Sequence, residues 1–376
     1  MDELAKQLYA QMGATPVINA IGNMTMLGGS APSPRVLEAM EVANRYYVDM
    51  DELLASSGRV IAAMLECEGA LVTSGCSAAM LLGTVACMAG TDPEKMAQLP
   101  DASGMKSEIV IQKAQRYKYD RVVRMAGTRI VEAGTDEGTD TPQLTDAIGP
   151  DTLAILYPAH DERPNLVSLR EMIDIAHHHE IPIIVDAASR VYPIDGLKKY
   201  AAWGADLVGY GAKYFGALNS TGLLCGRRDL VEAARLHSFA SFEKNALPGY
   251  GRPLKVDRQE VAAVVVALRE WLEMDHEARI AEADARGRNL RRMLTGLPHV
   301  SIDPKAEEAP ASYLTLTLDE SALGKSAIDV EAELRQSDPS IWLQTRGDSL
   351  QLYMGTMVDG DEAIIGERLG EILGNG

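Results

Sequence analysis

Through the middle of the chain, short runs of branched apolar residues alternate with longer stretches of helical spacing. Residues 69–73, 109–111, 129–131, 153–157, 181–186, 207–208 and 221–225 read as strands. Their near-continuous apolar character marks strands covered on both faces. Residues 119–125 and a segment running to about Glu180 read as helices between them. This alternation predicts an α/β fold: a mostly parallel sheet with helices on both faces.

The flanks follow other patterns. The first thirty residues are short on helical periodicity and rich in small residues, as in Asn19-Ala-Ile-Gly22-Asn-Met-Thr25-Met-Leu-Gly28. Glycines there would let the backbone run close to a ligand or a second subunit, or form a flexible arm. Pro34 opens a helix with Val36, Leu37, Met40 and Ala43 on one face, and residues 50–66 form a second, burying Leu53, Leu54, Val60, Ile61, Met64 and Leu65. Residues 242–253 read as a polar loop and 256–294 as one or two long, charged helices. Strands at 313–317, 341–344 and 350–353, with helices near 328–334 and 361–373, complete a smaller α+β domain. The expected organisation is an N-terminal arm and first helix (residues 1–45), a large α/β domain (46–255) and a small C-terminal domain (256–376). No internal repeat interrupts it.

Within this framework, the run Ile181-Pro-Ile-Ile-Val-Asp186 delivers a carboxylate to the end of a buried strand, where open α/β sheets bind ligands. Lys213 follows the next apolar run, so one more strand places an amine beside that acid. Such a pair suits pyridoxal phosphate, which needs a carboxylate at its pyridine nitrogen and a lysine for the Schiff base. Upstream, Gly69-Ala-Leu-Val-Thr73-Ser74-Gly75-Cys76-Ser77 is a strand, a small polar turn and the start of a helix. Ser74, Gly75, Cys76 and Ser77 there either hold a phosphate on helix N-terminal amides or simply cap the helix. Cys76 is a small packed residue or a thiol activated by the helix N-terminus.

Other candidates are weaker. His177-His178-His179 cannot share one ion on a regular helix, because adjacent positions point apart; a solvated helix end is the better account. No metal is expected, although a zinc hydrolase using His160 and this triplet is the rival chemistry. G-x-S-x-G, H-E-x-x-H, Walker and Rossmann signatures are absent. Arg346, in a hairpin turn, could fork onto a substrate carboxylate, with Arg59 and Arg116 as alternatives.

Composition narrows the function. The 376 residues carry a net charge of −18, which opposes a nucleic-acid partner or an anionic membrane surface. No secretory leader and no membrane-spanning apolar stretch is visible. Four cysteines without a paired framework indicate free thiols and a cytoplasmic location.

The order of parts then becomes specific. Val17-Ile-Asn-Ala-Ile-Gly, Leu27-Gly-Gly-Ser30, Val48-Asp-Met-Asp-Glu-Leu-Leu54, Glu68-Gly-Ala-Leu-Val-Thr-Ser-Gly75, Val185-Asp-Ala-Ala188 and Gly211-Ala-Lys213 together resemble the fold-type I pyridoxal-phosphate enzymes over nearly the whole chain. Within them the likeness is to the selenocysteine synthase-like and D-glucosaminate-6-phosphate ammonia-lyase family.

The resemblance implies a seven-stranded sheet and a homodimer or higher homo-oligomer. It implies Lys213 as Schiff-base lysine and general base, and Asp186 at the pyridinium nitrogen. Ser74, Gly75, Cys76 and Ser77 would cradle the phosphate, with Ser189 nearby and the Asn219-Ser-Thr221-Gly222 turn completing the site. A side chain of Gln115-Arg-Tyr117 would lie near the ring. Relatives often carry a phosphate-binding serine just before the lysine; here the sequence is Gly209-Tyr210-Gly211, so that contact is either lost or replaced by the Tyr210 hydroxyl. The acidity of the chain and the absence of an added N-terminal region disfavour a tRNA substrate. The implied activity is an α,β-eliminating lyase on a small amino acid or amino sugar acid. Racemase, aldolase or transferase chemistry and a non-catalytic relative are the alternatives. Thr25 in the glycine-rich arm and Arg346 are where substrate choice is expected to lie.

Overall fold

The computed structural model describes residues 3–304 and 309–374. Its strands, in chain order, are β1 (Val17–Asn19), β2 (Gly69–Thr73), β3 (Glu108–Gln112), β4 (Arg129–Ala133), β5 (Thr152–Pro158), β6 (Ile183–Asp186) and β7 (Leu207–Gly211). There follow β8 (Gly222–Gly226), β9 (Val300–Asp303), β10 (Tyr313–Leu318), β11 (Ser340–Trp342), β12 (Gln344–Arg346) and β13 (Ser349–Tyr353).

The larger unit spans Ser30–Glu273. Its seven-stranded sheet has the order β2-β8-β7-β6-β5-β3-β4, parallel except for β8, which runs antiparallel to both neighbours. Strands β3, β5, β6, β7 and β8 are buried at every position, which is why their sequences read as unbroken apolar runs. The first turns of the surrounding helices carry local stop-start chemistry. Ser33 accepts from the Val36 amide with Pro34 at the first helical position, and Asp49 accepts from the amides of Asp51 and Glu52. Buried Asp206 accepts from Ile183 N and from Arg227, each at 2.9 Å, and so fixes the start of β6.

The smaller unit takes the residues up to Gly29 together with those from Met274 onward. Strands β12-β13-β10-β9 form an antiparallel sheet, and β1 pairs in parallel with β11, Ile18 opposite Ile341. Alternate residues of β10 and β13, Leu314, Leu316, Leu318, Leu350 and Leu352, face a core shared with Leu290, Ile365 and Leu369.

Several sequence expectations change. The arm includes a helix, Glu3–Gln11, none of whose residues is buried. It also contributes β1 to the smaller unit, so the arm and the Pro34–Asn44 helix do not form one block. The expected long helix is two, Arg258–Glu273 and His276–Leu294. The first of these packs on Pro34–Asn44 within the larger unit, which moves the boundary from 256 to 274. The expected 341–344 strand divides between β11 and β12, and residues 119–125 form a 3-10 helix, Asp120–Ala126. Leu37 and Val60 are exposed rather than buried.

One buried group makes stability depend on pH. His237 is fully buried; its Nε2 lies 3.2 Å from the Gly90 carbonyl, and its Nδ1 accepts from Tyr250 N at 3.5 Å. That arrangement suits the neutral ring, and burial pushes its pKa down to about 4. A folded-state pKa below the unfolded value means that the unfolded chain takes up the proton first. The stabilisation is therefore complete above roughly pH 6.5 and is lost as pH falls toward 4. The loss is on the order of 3 kcal/mol. Denaturant midpoints at pH 7.5 and 5 should separate in the wild type and converge in His237→Asn; an equal drop in both proteins would refute the assignment.

Candidate active site

The C-terminal ends of the parallel strands gather the candidate residues. Asp186 closes β6, opposite Gly209 of β7 in register, and is 8% exposed. One carboxylate oxygen, Oδ1, accepts from the Ala188 amide at 3.1 Å and from Cys76 Sγ at 3.5 Å. The other accepts from the Tyr117 hydroxyl. Burial, then the Asp186 carboxylate, pushes the Tyr117 phenol well above its usual range, so it remains a donor.

Lys213 sits in the 3-10 turn Ala212–Phe215 directly after β7 and is also 8% exposed. Its Nζ reaches Asn219 Oδ1 at 3.4 Å and stands 5.2 Å from the centre of the Tyr214 ring. Burial lowers its pKa, because a charged ammonium is disfavoured away from water.

The helix Cys76–Ala89 starts at Gly75, whose φ of 90° falls in the left-handed region, and it has no side-chain cap. Its first amides are thus left to a ligand. Across from it, β8 brings Gly222 so close that a Cβ there would lie 2.4 Å from the Gly75 carbonyl carbon and 2.6 Å from Cys76 N.

A cavity of about 260 Å³ opens onto Asp186 and is lined by Tyr117, His160, Ser189, Arg190 and Tyr214 among others. The Tyr117 and His160 rings lie 5.0 Å apart, and Arg190 Nε donates to the Ala159 carbonyl at 3.0 Å. Of the three residues Gln115, Arg116 and Tyr117, Tyr117 is therefore the one that faces the acid. Gln115 is buried and bonds to Gln112 and the Asp161 carbonyl.

Other candidates are placed elsewhere. Arg116 is held by Asp120 and Glu132, which leaves it a structural clamp rather than a substrate ligand. Arg59 donates to Ser56 at 2.8 Å and lines a separate cavity with Arg228 and Glu232. The Tyr210 hydroxyl lies 3.2 Å from the carbonyls of both Gly196 and Leu197, so it does not substitute for a phosphate-binding serine. Thr221 Oγ1 donates to the Leu218 carbonyl at 2.8 Å. Burial and Asp186 push the Cys76 thiol well up, against the activated-nucleophile reading. Arg346 and Thr25 belong to the smaller unit. His177 bonds Asp206 at 3.1 Å while His178 and His179 meet edge to face. Among the described residues no group of His, Cys, Asp or Glu is placed to hold a metal ion.

Sequence reasoning gave no role at this site to Arg190 or Tyr214, took Asn219 as part of the phosphate turn, where its Oδ1 instead meets Lys213 Nζ, and considered His160 only as a metal ligand. The signal available was position: His160 and Arg190 lie just beyond the ends of β5 and β6, where neighbouring parallel strands bring their loops together. The donor set fits pyridoxal phosphate. It combines an uncapped helix N-terminus walled by a glycine that admits no side chain, a buried carboxylate for a ring nitrogen, and a desolvated lysine one strand away.

No family model matches the chain. A 5'-C-glycyluridine monooxygenase-decarboxylase from Streptomyces sp is 33% identical over 97% of this chain and 92% of its own length. The D-glucosaminate-6-phosphate ammonia lyase of Salmonella typhimurium is 29% identical over 98% of each chain. A solved structure of D-glucosaminate-6-phosphate ammonia-lyase superposes with a TM-score of 0.84 at 28% identity, over 98% of both chains.

Proposed function

The chain belongs to the fold-type I pyridoxal-phosphate enzymes of the selenocysteine synthase-like and D-glucosaminate-6-phosphate ammonia-lyase family, and from that premise we propose that it is a pyridoxal-phosphate-dependent lyase acting on a small amino sugar acid. The observation that carries the reading is the placement of buried Asp186 at the end of β6 and buried Lys213 in the turn directly after the neighbouring β7, beside an uncapped helix N-terminus.

Bound pyridoxal phosphate supplies an electron sink that weakens the bonds at the amine-bearing carbon of the substrate. Asp186, whose carboxylate accepts from the Ala188 amide, the Cys76 thiol and the Tyr117 hydroxyl, would face the ring nitrogen and hold its proton. The amides of Cys76 and Ser77, with Ser74 and Gly75, take the phosphate. Lys213 would anchor the cofactor and stand as general base beside the amine-bearing carbon; burial lowers its pKa, which keeps more of it neutral and able to accept a proton. Asn219 fixes the lysine's direction, and Tyr117 and His160 line the approach to the acid. Arg190, which lines the same cavity, orients the substrate carboxylate. Assembly as a homodimer follows the family pattern. Free cysteines suit a reducing cytoplasm, and among the described residues no helix is long and apolar enough to cross a membrane.

The 33% identity to a monooxygenase-decarboxylase favours one second reading, oxygen-dependent decarboxylation of an amino acid in the same pocket. Incubation of the purified holoenzyme with amino sugar acids, phosphorylated and not, decides between them. The lyase releases ammonia and a 2-keto acid in equal amounts without oxygen uptake. Oxygen consumption matched by carbon dioxide release would replace it with the second reading.

A further inference from the structure

All four cysteines are free thiols, and two of them meet at the edge of the seven-stranded sheet, where β2 pairs with β8. Cys67 is the second residue after the helix Met50–Leu65, whose C-cap Glu66 turns the chain with a left-handed φ of 56°. Past that turn its Sγ donates to the Gly69 carbonyl at 3.3 Å. Gly69 begins β2 opposite Gly226, and the next pair in register is Ala70 with Cys225. There the Cys225 thiol directs its hydrogen at the Cys67 sulfur. Cys225 is 2% exposed, whereas Cys67 is half-buried and lines a cavity of about 450 Å³. The other two cysteines have different neighbours: Cys76 Sγ lies against Asp186, and Cys87 lines a separate cavity with His177 and Asp206.

The two thiols are chemically unequal. The bond from Cys225 holds the Cys67 thiol below its usual range, while that bond and burial push Cys225 well up. A reachable sulfur that ionises more readily is the nucleophile of a pair, and a buried neighbour resolves it. We propose that Cys67 and Cys225 form an oxidation site at which hydrogen peroxide converts two thiols into one reversible disulfide. Cys67, as thiolate, attacks one peroxide oxygen and breaks the O–O bond. That leaves a sulfenic acid and a hydroxide, which takes up the thiol proton as water. The Cys225 sulfur then attacks Cys67, expels its hydroxyl as a second water and closes the S–S bond. Two electrons and two protons leave the thiols, and one peroxide becomes two waters. The cavity at Cys67 shares no lining residue with the one at Asp186, so this site stands independently of the lyase reading.

The test is made on the purified, cofactor-loaded protein. Before oxidation, iodoacetamide should label Cys67 at least about tenfold faster than Cys76, Cys87 or Cys225. After hydrogen peroxide, the denatured wild type should titrate as two thiols rather than the four of the sequence. Proteolysis should then release one cross-linked peptide pair, Cys67 to Cys225, which dithiothreitol separates. In Cys225→Ser the disulfide is lost and Cys67 stops at the sulfenic acid, which dimedone traps. In Cys67→Ser the three remaining thiols survive the same treatment. Should the buried substitution unfold the chain, the wild-type peptide map and Cys67→Ser decide without it. The proposal is overturned by a wild type that keeps all four thiols or cross-links a different pair. A wild type that carries as much dimedone adduct as Cys225→Ser overturns it too, since Cys225 would then resolve nothing.

Discussion

Replacement of Lys213 by alanine is expected to lower turnover by about a thousandfold or more. The variant should also lose the visible absorbance of lysine-bound pyridoxal phosphate. Two roles would fall together, because the proposed function gives this one amine both the anchoring of the cofactor and the base beside the reacting carbon. Burial has already lowered its pKa, so external amines of modest basicity are candidates for chemical rescue. Turnover within a few fold of the wild type would remove Lys213 from the mechanism. Retained absorbance without turnover would mean that another lysine anchors the cofactor.

Asp186→Ala is the second large effect. It should bind pyridoxal phosphate, yet turn over on the order of a hundredfold to a thousandfold more slowly. The expected loss rests on the proposed place of Asp186 at the ring nitrogen, which without a carboxylate would give up its proton and with it most of its electron demand. A structural contribution accompanies this, since the Tyr117 hydroxyl, Cys76 thiol and Ala188 amide lose their acceptor, at a cost of about 1–3 kcal/mol for each buried group left unmet. Melting temperature separates the two effects. Asp186→Asn keeps an acceptor for the Ala188 amide and turns its NH2 toward the Tyr117 hydroxyl, which can accept from it; it should recover part of the stability without recovering turnover. Full activity in either variant would refute the electron-sink role.

The parts of the molecule readable from sequence are those where burial leaves a pattern. Strands β3, β5, β6, β7 and β8 are covered on both faces, and their apolar runs announced them, including the abrupt end at Asp186. The helix Glu3–Gln11 escaped notice because it buries nothing; Leu4 is 72% exposed and Leu8 55% exposed, so no periodic face was imposed on it. β1 is three residues long and exists only because β11 lies beside it.

At the site, residues tied to one element were legible and residues tied together by the sheet were not. Arg116 and Asp120 stand four apart, but the second clamp on that arginine, Glu132, comes from β4. Strand alternation turns Tyr210 toward the Gly196 and Leu197 carbonyls, away from the role that its neighbour Gly211 and the lysine turn suggested. Arg190 and His160 acquire a shared cavity only when β5 and β6 lie side by side.

The reversed strand β8 has a consequence for how the pocket keeps its shape. After the lysine turn the chain doubles back, so that Gly222 lies opposite Gly211 in register while also sitting against Gly75 and Cys76. Main-chain pairing, not the lysine side chain, thereby docks the Lys213 loop against the N-terminus of the helix Cys76–Ala89. Emptying position 213 should leave the mould intact, and the alanine variant becomes a vessel for trapping cofactor and substrate together in a crystal.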